Sequence, residues 1–188
     1  MGATVVYVTH DQLEALTLSD NVVVLYEGKV QQIADPVTLY DFPANLFVSN
    51  FVGTLPVNLV EATVIAAAPD GVHLAVDADH SELTVGPVAS VHQGDKVVAA
   101  IRPEDIAIEE LSEANKSADS AEAFEIDEVQ CVGSTFTVKV KRNGMELTIE
   151  AGKEKKRYLQ YGAKILVRTL SDRIRLYDRT SGELIGRS

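Results

Sequence analysis

The chain has 188 residues, of which 46% are hydrophobic and 24% are charged. This length accommodates one hydrophobic core, or one and a half domains, and the composition is that of a globular protein. No apolar run approaches the roughly 20 residues that a transmembrane helix requires. The only cysteine, Cys131, excludes an internal disulfide framework, and its position in a β-rich run predicts a small buried side chain.

The net charge of −11 is unevenly distributed along the chain. Residues 1–128 carry 4 basic and 22 acidic side chains, whereas residues 129–188 carry 13 basic and 6 acidic ones. A basic tail can indicate binding to nucleic acid. The alternative, which we favour, is that opposite charges face each other between the two parts or across a partner interface, because surface charge reports on partners and solubility rather than on fold.

The first 53 residues predict a small α/β arrangement. The β-branched apolar run Thr4–Val8 is typical of a strand buried on both faces, and Val22–Leu25 predicts a second such strand. Apolar residues at helical spacing predict a helix over Asp11–Leu18, and Tyr26–Lys29 predicts a hairpin turn. Two further helices are predicted over Pro36–Tyr40 and Ala44–Val52.

From Val57 onward the sequence predicts a succession of short strands separated by turns. Strand spacing of this kind is typical of a small barrel or sandwich. Asn143-Gly144, between two strand-like runs, favours a type I′ hairpin turn. The predicted strands are Asn58–Ala66, Val72–Val76, Glu82–Val85, Lys96–Ile101, Ile106–Glu109, Ala123–Val132, Thr135–Lys141, Met145–Glu150, Lys164–Thr169 and Arg173–Tyr177.

One segment interrupts the strand pattern. Ser112–Ala121 consists of small and polar residues and offers no side chain that could anchor a core. We expect a mobile loop there, and the first site of proteolysis in the chain, because apolar burial cannot offset the entropy of ordering such a segment.

Several spaced elements of the N-terminal part match one protein family. They are the run Val5–Ala15, the run Leu18–Leu25, the turn Glu27–Val30 and the segment Pro36–Gly53. Together they resemble the end of the nucleotide-binding domain in ATPase subunits of ABC importers, most closely those of the maltose-importer type. In that family a buried strand delivers a histidine to the γ-phosphate of ATP, and the resemblance assigns this role to His10.

Other motifs of that family do not occur in the sequence. A nucleoside triphosphate is held by a Gly-rich loop followed by Lys, G-x-x-x-x-G-K-[ST], and no such run is present. Nor is there an LSGGQ-like signature or an apolar strand ending in the Asp-Glu pair that handles magnesium and water. We therefore expect no catalytic residue, no metal site and no cofactor in this chain by itself. ATP, magnesium and the nucleotide contact of His10 belong to the intact family.

A second resemblance covers the β-rich part. Ala100–Ile106 contains an Arg-Pro-Glu turn similar to that of the regulatory domain which follows the ATPase domain in the same importers. Glu128–Val140 and Ile174–Asp178 are similar to the second lobe of that domain, an OB-fold-like barrel often called TOBE. The two resemblances imply a mainly β chain with two domains. These are a small α/β remnant of the ABC nucleotide-binding domain over residues 1–54 and a TOBE barrel over residues 55–188.

The remaining polar motifs favour structural roles. Asp77–His80 is more typical of a solvated hairpin turn than of a cation site. Glu104 and Asp105 predict a turn rather than an acid–base pair, since no pocket is indicated that would separate their pKa values. The basic run Lys153–Arg157 predicts a solvated loop, and the alternative is a nucleic-acid groove on an OB-like barrel.

The leading interpretation is a non-enzymatic regulatory and dimerisation part of an ABC importer ATP-binding subunit, for sugars or related solutes. The resemblance implies two partners, a second copy of the chain and a membrane permease, at the inner, cytoplasmic face of the cell membrane; this interpretation includes no nucleic acid. Two alternatives stay open. The chain is a truncated fragment of a complete ATP-hydrolysing transport ATPase, or it is an OB-fold protein that binds nucleic acid.

Overall fold

The computed structural model describes residues 3–111 and 122–185. The chain divides into two compact units, Met1–Thr54 and Leu55–Ser188, which we call unit 1 and unit 2 and describe separately. The segment Ser112–Ala121 lies outside the described residues, so the mobile loop there stays a prediction.

The described residues of unit 1 form three short helices and one hairpin. Each helix begins after a residue whose side chain accepts hydrogen bonds from otherwise unpaired backbone N–H groups of the first turn, which is how Asp and Asn stabilise helix starts. These capping residues are Asp11, Asp35 and Asn45. The helices are α1 (Gln12–Leu18), α2 (Pro36–Asp41) and α3 (Leu46–Phe51). No helix in the described ranges is long and apolar enough to cross a membrane.

The hairpin of unit 1 joins β1 (Val22–Tyr26) to β2 (Lys29–Ala34) in antiparallel register. Glu27 and Gly28 form the tight turn with positive φ angles of 49° and 76°, so the predicted hairpin is confirmed. The buried core of unit 1 consists of Val24, Leu39, Val48 and Val52.

Two predictions for unit 1 are wrong. Thr4–Val8 forms no strand, and within the described residues its backbone has no hydrogen-bonding partner. Val6 and Val8 are 88% and 89% exposed. β1 is a strand but is not buried on both faces, because Val23 and Leu25 are exposed. Both errors have the same physical reason. An apolar strand is buried only where other elements cover both its faces, and the sheet in the described part of unit 1 has only two strands.

In its described residues, unit 2 consists of antiparallel strands in two five-stranded sheets, and every strand predicted after Val57 corresponds to one of them. The predicted mainly β fold is confirmed. Sheet I has the strand order β12-β6-β3-β4-β5 and sheet II the order β10-β9-β8-β11-β7. The strands are β3 (Asn58–Ala68), β4 (Gly71–Val76), β5 (Glu82–Val85), β6 (Lys96–Ile101), β7 (Ile106–Glu110), β8 (Phe124–Val132), β9 (Thr135–Arg142), β10 (Met145–Gly152), β11 (Lys164–Thr169) and β12 (Arg175–Asp178).

Alternating side chains of both sheets form the core of unit 2. Along β9, Phe136, Val138 and Val140 are buried, whereas Lys139 and Lys141 are exposed. This period of two is what a strand with one face on a core requires. Buried residues of both sheets belong to one hydrophobic cluster, and edge strand β10 contacts the opposite edge strand β7. Sheet II therefore curls toward a barrel.

Asn143 and Gly144 form the turn between β9 and β10. Their φ angles are 45° and 88°, and a type I′ turn requires positive φ at both central residues. The predicted turn is confirmed. Pairing then runs without a break from Met145–Arg142 to Gly152–Thr135.

Asn58, buried at the start of β3, connects the two sheets. Its Nδ2 donates to the backbone oxygens of Ile101 on β6 at 3.1 Å and Thr148 on β10 at 2.8 Å. Its Oδ1 accepts from the Thr148 N–H at 2.6 Å. The side chain therefore satisfies outward backbone groups of the edge strand β10 and links sheet I to sheet II.

We predict that Asn58→Ala destabilises the protein, because the backbone groups of Thr148 lose their partner. A buried polar group left without a hydrogen bond costs about 1–3 kcal/mol, and we expect the free energy of unfolding to fall by that amount. Urea unfolding followed by circular dichroism measures it. The control is Gln130→Ala, an exposed side chain that contacts Glu128 and should change stability by less than about 0.5 kcal/mol. Equal effects of the two substitutions would contradict the connecting role.

Candidate functional sites

His10 lies exposed at the start of α1, and its neighbours fix the backbone on either side. Thr9 Oγ1 donates to Glu14 Oε2 at 3.0 Å and accepts from the Asp11 N–H at 2.9 Å. The Asp11 carboxylate caps α1, accepting from the N–H groups of Leu13 at 2.9 Å and Glu14 at 3.1 Å. These contacts present the imidazole of His10 to the outside of unit 1. Its role at a phosphate stays a prediction.

Glu14 also accepts a hydrogen bond from the Tyr7 hydroxyl at 3.1 Å. This hydrogen bond, reinforced by the negative charge of Glu14, raises the pKa of Tyr7. The Glu14 carboxylate thus holds residues on the N-terminal side of His10 to the first turn of α1. Asp11 and Glu14 make the surroundings of His10 acidic, so this cluster does not by itself attract a phosphate.

The residues Asp77–His80 lie in the turn between β4 and β5. Asp77 accepts from Arg179 Nη1 at 2.7 Å, and His80 occupies the turn with a φ of 57°. Within residues 3–111 and 122–185, no group of three His, Cys, Asp or Glu side chains is placed to hold a metal ion.

Asp79 forms a buried ion pair with Arg142. Arg142 donates from Nη2 at 2.5 Å and from Nε at 2.8 Å, and the Asp79 side chain is 1% exposed. Ser81 adds hydrogen bonds from its N–H at 3.0 Å and its hydroxyl at 2.6 Å. Burial alone would raise the pKa of Asp79, but the hydrogen bonds from Ser81 and Arg142 outweigh it and lower the pKa. The pair joins the β4–β5 turn to the end of β9, so its role is structural.

We predict that Asp79→Asn is strongly destabilising at neutral pH, because Arg142 is left buried without its counter-ion. Breaking a buried pair costs about 3–5 kcal/mol. Since the folded pKa of Asp79 is lowered, its stabilising contribution is present above the unfolded pKa of about 3.9. That contribution is lost as the pH falls through the folded pKa. Urea unfolding at pH 7 and under strongly acidic conditions should show the variant and the wild type converging in acid.

Asp127→Asn is the matched control for this prediction. Asp127 pairs with Lys141 at 2.5 Å, but both side chains are about half exposed, so its loss should cost at most about 1 kcal/mol. Equal losses for the two variants, or a pH-independent effect of Asp79→Asn, would contradict the account.

Glu104 and Asp105 lie in a single turn of 3₁₀ helix, Pro103–Asp105, between β6 and β7. The Asp105 N–H donates to the Arg102 carbonyl at 3.0 Å, and its own carbonyl accepts from the Leu170 N–H at 3.3 Å. Burial, followed by the charge of Glu104, raises the pKa of Asp105. These backbone bonds fix the connection between two strands, which fits the predicted structural turn.

The basic run Lys153–Arg157 is not the loop that the sequence predicts. It forms a 3₁₀ helix, Lys153–Tyr158, directly after β10. Lys155 and Arg157 lie over the Tyr158 ring, 6.0 Å and 5.5 Å from its centroid. Cation–π contacts of this kind stabilise a segment whose charges are largely exposed.

The prediction that Cys131 is buried is wrong, because the thiol is exposed. The strand β8 buries Phe124 and Ile126 near its start, and its last three residues are all exposed. A position in a β-rich run predicts burial of Cys131, whereas the end of this strand lies outside the core.

A cleft of about 240 Å³ opens on unit 2 beside the start of β3. Asn58 and Thr148 line it together with four charged residues of sheet II, Asp127, Lys139, Lys141 and Glu146. The hydrogen bonds of the Asn58 side chain therefore fix one wall of the cleft, and charged side chains of β8 and β9 form another part of its lining.

Both lysines at this cleft are paired with carboxylates. Lys139 Nζ lies 2.6 Å from Glu128 Oε2 and Lys141 Nζ lies 2.5 Å from Asp127 Oδ1. These hydrogen bonds raise the pKa of both lysines and lower the pKa of Glu128. The arrangement offers hydrogen-bonding groups of both signs to a small polar molecule, which would have to replace one partner of an ion pair.

Sequence analysis did not identify this cleft. The alternation along β9 indicates that Lys139 and Lys141 share a face. However, Asp127 reaches Lys141 from a bulge between Ile126 and Glu128, and no local pattern signals a bulge there.

Comparison with known proteins reveals related chains. The sequence is 36% identical over 169 residues to the lactose transport ATP-binding protein LacK of Rhizobium radiobacter, a match that covers 89% of this chain and 45% of LacK. It is 40% identical over 136 residues to the spermidine/putrescine import ATP-binding protein PotA of Rubrobacter xylanophilus, covering 72% of this chain and 34% of PotA. It is 38% identical over 151 residues to PotA of Haemophilus influenzae, a match that covers 79% of this chain and 39% of that protein.

The chain is homologous to the ATP-binding subunits of ABC importers. The predicted resemblance is thereby confirmed. The chain spans less than half the length of each of these three ABC importer subunits. No protein-family model matches it.

A solved structure supports the OB-fold-like architecture of this ABC importer homologue. The cytoplasmic molybdate-binding protein ModG, with molybdate bound, aligns with a TM-score of 0.53 over 63% of this chain and 94% of ModG. The sequence identity is 17%, so the likeness concerns the fold alone.

Proposed function

We propose that this chain is the regulatory and dimerisation part of an ABC importer ATP-binding subunit. The observation that carries the proposal is the match of 89% of the chain to LacK, in combination with a mainly β unit 2. The proposal places unit 1 at the end of the nucleotide-binding domain and makes unit 2 the TOBE-like regulatory domain.

The proposed mechanism is steric and allosteric. Two copies meet through their β-rich domains and limit how far the ATP-binding domains separate, which couples the supply of solute to closure of those domains. A domain in this role must transmit position without deforming. The Asn58 link between the sheets and the buried Asp79–Arg142 pair support such rigidity. The assembled subunit would dock on a membrane permease from the cytoplasmic side.

Sugars or related solutes are the proposed cargo of the importer. LacK is named as a lactose transport protein, whereas PotA is named as a spermidine/putrescine import protein. The match to LacK covers more of this chain than the matches to the two PotA proteins, which favours the sugar class.

We predict that the chain does not hydrolyse ATP by itself, because its sequence contains no phosphate loop. Phosphate release by the purified chain with ATP and magnesium should equal that of buffer. Turnover that disappears in a His10→Ala variant would overturn this prediction and favour a catalytic role.

We predict that His10 acts only in the context of a complete ATP-binding subunit. The test is a chimera in which this chain replaces the matching 45% of LacK, assembled with the lactose permease. We expect lactose-stimulated ATP hydrolysis, and we expect His10→Ala to lower it by about 100-fold or more, the scale on which a positioned proton-transfer group acts.

His92→Ala is the matched control in the chimera, since the His92 side chain is 87% exposed and contacts Asp95. It should leave ATP hydrolysis unchanged. A chimera that assembles but hydrolyses ATP equally with and without lactose would contradict the regulatory role, and equal rates for the two histidine variants would contradict the role of His10.

A further inference from the structure

The cleft beside the start of β3 contains an unpaired stretch of that strand. The Glu61 carbonyl accepts from the Asp77 N–H at 2.9 Å, so the backbone groups of Glu61 point away from β6. Because backbone direction alternates along an antiparallel strand, the N–H and C=O of Leu59 point to the same side. In the described residues β4 pairs with β3 only from Ala62 onward. The backbone groups of Leu59 therefore lack a strand partner on that side.

The edge of β10 supplies a second unpaired stretch. The N–H and C=O of Thr148 point away from β9, because the Asn58 side chain binds both of them. By the same alternation, the N–H and C=O of Glu146 also point away from β9, and no hydrogen bond to them occurs within residues 3–111 and 122–185. Leu59 and Glu146 both line the cleft, so unpaired N–H donors and C=O acceptors border it on two strands.

The cleft is formed by unit 2 alone. Every residue that lines it lies between Val57 and Thr148, and all of them belong to that unit. The hydrogen bonds between Asn58 and Thr148 hold one wall in place, and the continuous pairing of β9 with β10 holds the other. The cleft is therefore largely preformed, as binding sites for small molecules usually are.

Charged side chains of both signs surround this cleft. Lys141 and its partner Asp127 both line it, and their side chains are 44% and 47% exposed. Glu146 is the cross-strand neighbour of Lys141 on β10, and no ion pair within the described residues involves it. A ligand has to open the pair between Lys141 and Asp127, and half-exposed pairs of this kind contribute little to stability.

The charge of the ligand follows from the opening of this pair. An anion would bind Lys141 and leave Asp127 without a partner, whereas a cation would bind Asp127 and leave Lys141 without one. A zwitterion gives both halves of the opened pair a new partner, and its ammonium group can also bind Glu146. A sugar carries no charge to match either group. The volume of about 240 Å³ lies below the roughly 300–1,000 Å³ of sites for drug-sized ligands, which favours a small molecule.

We propose that this cleft binds a free α-amino acid with an apolar side chain. The ligand's carboxylate binds Lys141 and the backbone N–H groups of the two strand edges. Its ammonium group donates to Asp127, Glu146 and the free carbonyls, and its side chain packs on Leu59, which is 45% exposed. Val57 adds apolar lining. The site does not depend on the function proposed above, because binding is a property of unit 2.

The first test is a titration of the full chain with L-leucine, followed by the NMR signals of the backbone amides. We expect the amides of Leu59 and Glu146 to shift with a common dissociation constant. Two analogues keep the hydrocarbon part of leucine and one charge each: 4-methylpentanoate has only the carboxylate and 3-methylbutylamine only the ammonium group. Each should bind about tenfold more weakly or worse, because hydrogen bonds to one charged group are lost.

The second test substitutes the carboxylate that has no ion-pair partner. Glu146→Gln removes an acceptor for the ligand's ammonium group and should weaken L-leucine binding about tenfold. It should not weaken binding of 4-methylpentanoate, which has no ammonium group. Glu146 is exposed, so the fold should be undisturbed. Glu82→Gln is the matched control, an exposed glutamate of β5 that does not line the cleft, and it should leave the dissociation constant unchanged.

Three outcomes would overturn the proposal. The amides of Leu59 and Glu146 do not shift at millimolar L-leucine, or leucine and its two singly charged analogues bind equally well. In the third outcome, lactose shifts the same amides and L-leucine does not, which would show a site for sugars. Equal effects of Glu146→Gln and Glu82→Gln on leucine binding would likewise contradict the assigned contact between Glu146 and the ammonium group.

Discussion

The packing of sheet I against sheet II is the interaction on which unit 2 depends. Side chains such as Leu74 and Ile149 are fully buried in one cluster, and burial of each contributes about 1.5–3 kcal/mol. The buried polar side chains in this interior have hydrogen-bonding or ion-pair partners. Asn58 binds the edge of β10, and Arg142 neutralises Asp79. Apolar burial stabilises the unit, and these polar contacts help to determine how one sheet lies on the other.

Unit 1 buries its apolar residues only in part. Four residues form its buried cluster, whereas most of the exposed large hydrophobic residues in the described ranges belong to it, from Val5 to Phe51. Under the proposed function, the rest of an ATP-binding domain covers this surface. The physical cause of the exposure is a two-stranded hairpin that cannot bury its own apolar residues.

Local elements were predictable from the sequence, and contacts between distant residues were not. The turn at Asn143-Gly144 and the alternation along β9 depend on neighbouring residues, so both could be predicted. The Asp79–Arg142 pair joins residues 63 positions apart and the Asn58–Thr148 contact spans 90, and no local pattern encodes either. Thr4–Val8 was mispredicted for a related reason, since its pattern specifies a strand only where another strand lies beside it. The position of His10 before α1 and its acidic neighbours followed from the sequence, whereas the hydrogen bonds from Tyr7 and Thr9 to Glu14 required the structure.

The central claim is that unit 2 is held by its own core, whereas β1 pairs with β2 on one side and, within the described residues, with no strand on the other. Residue-resolved amide hydrogen exchange tests it most directly. The account predicts that amides of β3, β6 and β9 exchange only through global unfolding. The outward amides of β1 should exchange faster by a factor of about 1,000 or more, because local opening costs far less than global unfolding. Equal protection of β1 and the unit 2 strands would contradict the claim.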